Sequence, residues 1–211
     1  SGSAWSPEYD DIKEQAVSVS GPAKKKKREP RKISMTYLQN AALYHLQRYA
    51  SSSENLRRVL VRKVLRSAHH HETDEQEGIT WVDEIVERYL QSGLLDDNAY
   101  AETKVRALRA RGNSNRMVMA KLSAKGVPTQ VIQGALTSTG EQDGNAETEA
   151  AIQFARRRRF GPFAEPGKRD AKREKSLAAM ARAGFRYDLA QRIIDAETPE
   201  DVLANMRYEE I

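Results

Sequence analysis

In the stretch Gly93-Leu-Leu-Asp-Asp-Asn-Ala-Tyr-Ala101, one amphipathic helix ends and the next begins. Glycine suits the left-handed residue that follows a helix, and an aspartate at the start of an apolar stripe suits an N-cap, here Asp96 or Asp97. We expect the two leucines and the tyrosine of this stretch to pack between the helical units on either side. The residues assigned this structural role are Gly93, Leu94, Leu95, Asp96, Asp97 and Tyr100, with Gly126 at the end of a later helix.

The rest of the ordered chain also has helical periodicity. From Thr36 onward apolar residues recur at intervals of three and four, as in Val82, Ile85, Val86 and Tyr89, and no period-two alternation is sustained. This pattern predicts an all-α chain of nine helices in three groups of three.

An internal repeat relates the last two groups. When Gly126 is aligned with Gly184, apolar positions on either side fall in register, for example Leu122 with Met180 and Val127 with Phe185. A three-helix unit of this size cannot bury its apolar stripe alone, so neighbouring units should stack into an elongated array. The predicted repeats are 34–95, with an acidic, histidine-containing loop at 69–78, then 96–140 and 141–197.

Both ends are predicted to be tails. Residues 1–33 contain the basic block Lys24 to Lys32 among Pro, Gly and Ser, and such a block cannot bury surface, so we expect a disordered basic tail. The block suits either a nuclear localisation signal or a nonspecific nucleic-acid arm. Residues 198–211 are predicted to form an acidic C-terminal tail.

Composition narrows the class of protein. The 211 residues include 35 Lys+Arg and 30 Asp+Glu, a net charge of +5, and no cysteine. The absence of cysteine fits a reducing compartment, and no apolar run approaches the ~20 residues that span a bilayer. We therefore predict a soluble, cytoplasmic protein with no membrane partner. We also expect it to be a monomer.

Residue patterns for catalysis or metal binding are weak. There is no phosphate-binding glycine loop and no nucleophile paired with a base, and helix capping accounts for the paired aspartates. The histidines His69 to His71 precede Glu72, but consecutive side chains point in different directions. We predict no enzymatic activity, no cofactor and no metal site.

Basic charge is the strongest functional signal. The segment from Thr103 to Gly140 holds seven Lys or Arg and no acid, and Arg58, Arg62 and Arg66 form a ridge with helical spacing. Uncompensated charge of this kind favours a polyanionic or acidic partner.

Three portions of the chain resemble the RecX family, bacterial modulators of the RecA recombinase. They are Leu43-Tyr-x-Leu46 through Arg57-Arg58-x-Leu60-x-x-Lys63, the stretch Gly93 to Ala101, and Lys121-Leu122-x-x-Lys125-Gly126-Val127. The resemblance covers about residues 36 to 196. It departs from the family in the acidic insertion at 69–78, the basic tail and the run of four arginines at 156–159.

The resemblance implies a curved, all-helical protein that binds the RecA–DNA filament, mainly inhibits its assembly, ATP hydrolysis and recombinase activity in DNA repair, and binds single- and double-stranded DNA nonspecifically. The alternative is a stand-alone transcription regulator that binds DNA through a helix-turn-helix. The residues predicted to contact RecA or DNA are Arg57, Arg58, Arg62, Lys63, Arg66, Lys104, Arg106, Arg109, Arg111, Arg116, Lys121 and Lys125. Arg156, Arg157, Arg158 and Arg159, beside Phe160 and Phe163, are either a further nucleic-acid contact with base stacking or a solvated helix end.

Overall fold

The structure is a computed structural model that describes residues 29–142, 146–165 and 167–207. These residues form ten α-helices and one short 3-10 turn, Gly161–Phe163, and contain no strand, so the all-α prediction is confirmed. The predicted tail at 1–28 lies outside the described residues. The helices are α1 (Met35–Arg48), α2 (Ser53–His71), α3 (Glu75–Gln91), α4 (Asp97–Ala110), α5 (Asn115–Ala124), α6 (Thr129–Gln142), α7 (Ala146–Arg158), α8 (Arg169–Ala183), α9 (Tyr187–Asp195) and α10 (Pro199–Arg207).

Short polar side chains set the helix starts. Ser34, Ser52 and Ser114 precede α1, α2 and α5, and each hydroxyl accepts a hydrogen bond from a backbone N–H of the first turn. Asp74 caps α3 in the same way. Asp96 caps α4 by accepting from the N–H groups of residues 98 and 99, which decides between the two aspartates proposed for this role.

The helices enclose three separate hydrophobic cores in chain order. The first core lies among α1, α2 and α3, the second among α4, α5 and α6, and the third among α7 to α10. The 58-residue offset from Gly126 to Gly184 extends to burial, because Leu122 and Met180 are both buried, as are Val127 and Phe185. We call these three groups of helices repeat 1, repeat 2 and repeat 3.

The connection between α2 and α3 is shorter than predicted. The expected loop at 69–78 is wrong in extent, because α2 continues through His71 and α3 starts at Glu75. The His71 ring nitrogen Nε2 lies 2.7 Å from the carbonyl oxygen of Pro30, and Gly78 is buried against Val64. These long-range contacts keep a polar segment helical where its own sequence has no apolar stripe.

Both predicted tail boundaries also shift. Ile33, assigned to the N-terminal tail, is 7% exposed, and its N–H donates to the Ser67 hydroxyl at 3.0 Å. At the other end, residues 198–211 were predicted to be a tail, but α10 forms there and Val202 packs in the third core. The two apolar residues anchor segments that composition alone marks as polar. Among the described residues, no helix is long and apolar enough to cross a membrane.

Candidate nucleic-acid and partner interface

Repeat 1 meets repeat 2 where the N-terminus of α2 faces the C-terminal end of α5. The Ser52 hydroxyl accepts from the Asn55 N–H at 3.2 Å and donates to the Lys125 carbonyl at 2.7 Å. Asp97 accepts from the backbone N–H of Ser53 at 2.8 Å and from its hydroxyl at 2.6 Å. Backbone groups that a helix end leaves without a partner are thus satisfied by the next repeat. We call this contact the first joint.

The same arrangement recurs between repeats 2 and 3, at the second joint. The Ser114 hydroxyl accepts from the Met117 N–H at 3.2 Å and donates to the Ala183 carbonyl at 2.6 Å. Glu147 takes the position of Asp97 and accepts from the Asn115 N–H at 2.9 Å. Burial raises the pKa of the Glu147 carboxyl, against the opposing effects of this hydrogen bond and of a nearby arginine. The joint is therefore a repeated device that fixes one repeat against the next.

A glycine lies at the centre of each joint. Gly126 and Gly184 end α5 and α8 with φ of +77° and +96°, in the left-handed region that favours glycine. A Cβ on Gly126 would lie 2.3 Å from Glu54 Cγ, and one on Gly184 would lie 2.7 Å from the Ser114 hydroxyl oxygen. Glycine is thus required both by the backbone turn and by the close approach of the neighbouring repeat.

Two predicted binding arginines also belong to the joints. One Arg58 guanidinium nitrogen donates to the Ala124 carbonyl at 3.1 Å, and its Nε donates to Glu54 at 2.9 Å. Arg116 donates to the Arg182 carbonyl at 3.1 Å across the second joint. Both side chains reach a helix C-terminus, where cations are favoured by the helix dipole. Each of these arginines therefore contacts the neighbouring repeat.

Two other predicted binding residues form hydrogen bonds or ion pairs within their own repeats. Arg109 is only 7% exposed and donates to Asn115 Oδ1, at 3.0 and 2.9 Å, and to the Thr139 hydroxyl at 2.7 Å. Arg57 pairs with Asp83, with 2.6 Å between Nε and Oδ1, and this hydrogen bond raises the pKa of the guanidinium. The structure therefore assigns both arginines internal contacts.

The other two arginines of the α2 ridge are accessible. Arg62 and Arg66 are exposed, and neither forms an ion pair with another described residue. Lys63 lies beside them with its ammonium 5.8 Å from the centre of the Tyr37 ring. Burial lowers the pKa of His45, and the charges of Arg62 and Lys63 lower it further. This surface is electropositive, and we call Arg62, Lys63 and Arg66 the α2 cationic surface.

The stretch from Gly93 to Ala101 borders a cleft at the first joint. The cleft has a volume of about 360 Å³ and is lined by residues of this stretch and of the C-terminal end of α1. Leu95 is 3% exposed, whereas Leu94 is 50% exposed and Tyr49, which lines the same cleft, is 60% exposed. The expectation that Leu94 packs between the repeats is therefore wrong, because its side chain lies on the open side of the turn. The Lys104 ammonium lies 5.5 Å from the Tyr100 ring centre and adds a cation to this apolar cleft.

A second cleft, of about 410 Å³, lies at the second joint and is lined by Arg111, Gly112, Asn113, Lys121, Phe154, Arg157 and Arg158. Of the arginine run at 156–159, Arg157 and Arg158 line this cleft, and Arg156 and Arg159 do not. Arg156 lies over the Phe163 ring at 5.4 Å, and Arg159 is 3.7 Å from a Glu165 oxygen. Phe160 and Phe163 pack against the third core and are partly buried.

The remaining predicted binding residues, Arg106 and Lys125, are exposed on repeat 2. Among the described residues, no three His, Asp or Glu side chains are grouped so that they would hold a metal ion. Sequence reasoning missed the joint residues Ser52, Ser114 and Glu147. Serine directly before an amphipathic helix is a signal for a cap, but nothing in the sequence shows that the same hydroxyl bonds a carbonyl in the next repeat.

Comparison with known proteins places this architecture among relatives. A family profile described as "RecX, second three-helix domain" matches residues 96–136. The regulatory protein RecX of Myxococcus xanthus is 44% identical over 83% of this chain and 95% of its own length. That of Agrobacterium fabrum is 31% identical over 84% of this chain and 93% of its own length. The crystal structure of RecX from Lactobacillus salivarius shares the fold, with a TM-score of 0.55 at 22% identity over 77% of this chain and 96% of that one.

Proposed function

This chain belongs to the RecX family, and from that premise we propose that it binds the RecA–DNA filament and mainly inhibits filament assembly, ATP hydrolysis and strand exchange. It acts by binding, as a cytoplasmic monomer, and not by catalysis. The observation that carries the proposal is the α2 cationic surface on a repeat that is tied by hydrogen bonds to a second repeat with an acid-free basic segment.

The positions of the cations favour nonspecific contact with a polyanion. Arg62, Arg66 and Lys125 are exposed in two successive repeats, so the positive potential covers more than one repeat. Phosphate contacts of this kind orient a protein on nucleic acid without reading base sequence. The same charges complement acidic side chains on a protein filament.

The distribution of charge argues against the helix-turn-helix regulator. In such a protein the second helix of the pair carries the base contacts in the major groove. The third helix of each repeat would take this role here. However, α6 contains no Lys or Arg, and α3 and α9 contain one each, Arg88 and Arg192.

The joints supply the mechanical part of the proposal. Because each joint fixes helix ends of one repeat against the next by several hydrogen bonds, the repeats span a partner as one unit. A filament presents its subunits at regular spacing, and a rigid array that bridges neighbouring subunits hinders further addition and restrains closure around ATP. Inhibition then needs fewer molecules of this protein than of RecA.

The test is ATP hydrolysis by RecA on single-stranded DNA while this protein is titrated in. We expect the rate of hydrolysis to fall at ratios well below one molecule of this protein per RecA. The same inhibition should require a higher concentration of the Arg62→Glu, Arg66→Glu variant. The matched control is Lys172→Glu with Lys175→Glu, which makes the same charge change at exposed positions of α8. Unchanged hydrolysis at equimolar wild-type protein would exclude the proposal.

A further inference from the structure

A cleft lies between the repeats at each joint, and the two clefts differ in chemistry. The first cleft lies between the end of α1 and the start of α4, and the second between the end of α4 and the C-terminal half of α7. The first is lined mainly by apolar side chains such as Leu46 and Tyr49. The second is lined by four cations from three elements, with no acidic side chain among its lining residues: Arg111, Lys121, Arg157 and Arg158.

The cations of the second cleft are held in place by neutral groups. The Lys121 ammonium donates to Asn113 Oδ1 at 2.6 Å, and Arg157 donates to the Arg111 carbonyl at 2.8 Å. The Arg158 guanidinium lies 5.7 Å from the Phe154 ring centre. These contacts orient the side chains without neutralising them, so the charge stays available to a ligand. Convergent like charges repel one another, and an anion in the cleft relieves that repulsion.

A glycine lies where the two walls of the cleft meet. Gly112 has φ of +77°, and a Cβ there would lie 2.8 Å from the backbone nitrogen of Phe154. The end of α4 therefore approaches the backbone of α7 closely. Arg111 is brought to the same opening as the two α7 arginines by this contact.

We propose that the second cleft binds the phosphodiester backbone of a single DNA strand. The inference rests on the proposed function in one respect, that DNA is the polyanion, and it adds where on the chain a strand lies. A phosphate offers several oxygen acceptors at one point, which suits guanidinium and ammonium donors converging from three elements. The donors contact backbone, so the site does not select bases.

The experiment measures binding of a fluorescein-labelled oligothymidylate by anisotropy across a series of KCl concentrations. The variant Lys121→Gln with Arg158→Gln removes two charges and leaves the contact between Arg157 and the Arg111 carbonyl intact. The matched control is Lys172→Gln with Lys175→Gln on the exposed face of α8.

The cleft variant should show a shallower dependence of log K on log[KCl], by about 1.4, because each phosphate contact on a single strand contributes about 0.7. Its affinity at about 0.1 M salt should fall roughly tenfold or more, while the control stays within about twofold of the wild type. A slope and affinity equal to those of the control would overturn the proposal, as would failure of the wild-type protein to bind the oligonucleotide.

A charge-preserving pair separates charge from shape. Lys121→Arg with Arg158→Lys should keep the wild-type salt dependence, and loss of binding in this pair as well would contradict the electrostatic account. The assay contains no RecA. Failure of the cleft proposal therefore appears as oligonucleotide binding that the cleft variant leaves unchanged, whereas failure of the filament proposal appears as unchanged ATP hydrolysis by RecA.

Discussion

At the scale of the residue, the accessible surface of a cation and its partners decide its role. Arg62 and Arg109 are alike in sequence, since each lies on a helix among basic neighbours. In the structure Arg62 is exposed, and Arg109 is 7% exposed and bonded to Asn115 and Thr139. A buried guanidinium with satisfied donors stabilises its surroundings, whereas an exposed one is available to a partner.

The sequence could not distinguish exposed arginines from internally bonded ones, because the groups that the bonded arginines contact are distant along the chain. Arg58 reaches a carbonyl 66 residues away, and Arg116 does the same. Local spacing placed Arg58 on a ridge with Arg62 and Arg66, which is correct as geometry. It does not show which end of the ridge is occupied by the neighbouring repeat. The ridge should therefore be tested through Arg62 and Arg66, leaving the joint intact.

The first prediction at this scale concerns His45, whose Nε2 is buried and without a hydrogen-bond partner among the described residues. Burial lowers the pKa of this imidazole, and Arg62 and Lys63 lower it further. Arg62→Gln should raise the pKa of His45 toward the ordinary value, followed by NMR titration of the ring Cε1–H. The control Arg66→Gln removes an equal charge from the same surface and should shift it less.

The lowered pKa of His45 also sets the sign of the pH dependence of stability. Because the folded state lowers the pKa of His45, the unfolded chain binds the proton more tightly. The contribution of His45 to stability is present above about pH 6.5 and is lost as the pH falls through the folded-state pKa. Arg62→Gln should weaken this dependence. If the His45 pKa stays unchanged in Arg62→Gln, the α2 cationic surface lacks the proposed local potential.

At the scale of the element, the joints explain where helices must end. The periodicity of apolar residues predicted the helices, and glycine predicted several of their ends, because both signals are local. The extent of α2 and the existence of α10 were not predicted. His69 to His71 carry no apolar stripe, and Val202 of α10 is buried in the third core. Both segments make contacts with residues that are distant in the chain, which local sequence patterns do not show.

The prediction at this scale is a pair of glycine substitutions with opposite outcomes. Gly184→Ala should destabilise the protein by roughly 1–3 kcal/mol or more, because alanine disfavours a φ of +96° and its Cβ would meet Ser114. Gly134→Ala, in the middle of α6 with open space at its Cβ position, should stabilise by about 0.5–1 kcal/mol. Urea unfolding gives both free energies of unfolding.

Equal changes in the free energy of unfolding for the two substitutions would contradict the close contact at Gly184. If Gly184→Ala were as stable as the wild type, repeats 2 and 3 would not approach as described. A loss confined to repeat 3, seen as amide hydrogen exchange that rises in α8 and α9 before the other helices, would support local opening at the second joint.

At the scale of the whole molecule, three cores in chain order are connected by two joints of the same design. The all-α class and the repeat offset could be predicted because apolar spacing and glycine positions recur at a fixed interval. The difference between the two clefts could not, because each collects residues from at least two repeats. The apolar first cleft and the cationic second cleft give the two joints different surfaces, although the hydrogen bonds that hold them are equivalent.

Binding of this chain to the RecA–DNA filament through the α2 cationic surface can be measured by co-sedimentation with RecA filaments formed on single-stranded DNA. We expect the wild-type protein and the Lys172→Glu, Lys175→Glu control to pellet with the filament. Arg62→Glu with Arg66→Glu should remain largely in the supernatant at the same concentration, with its helical circular dichroism unchanged. Wild-type protein that stays in the supernatant at saturating filament would exclude filament binding, and an Arg62→Glu, Arg66→Glu variant that pellets as fully as the control would exclude the α2 cationic surface as the contact.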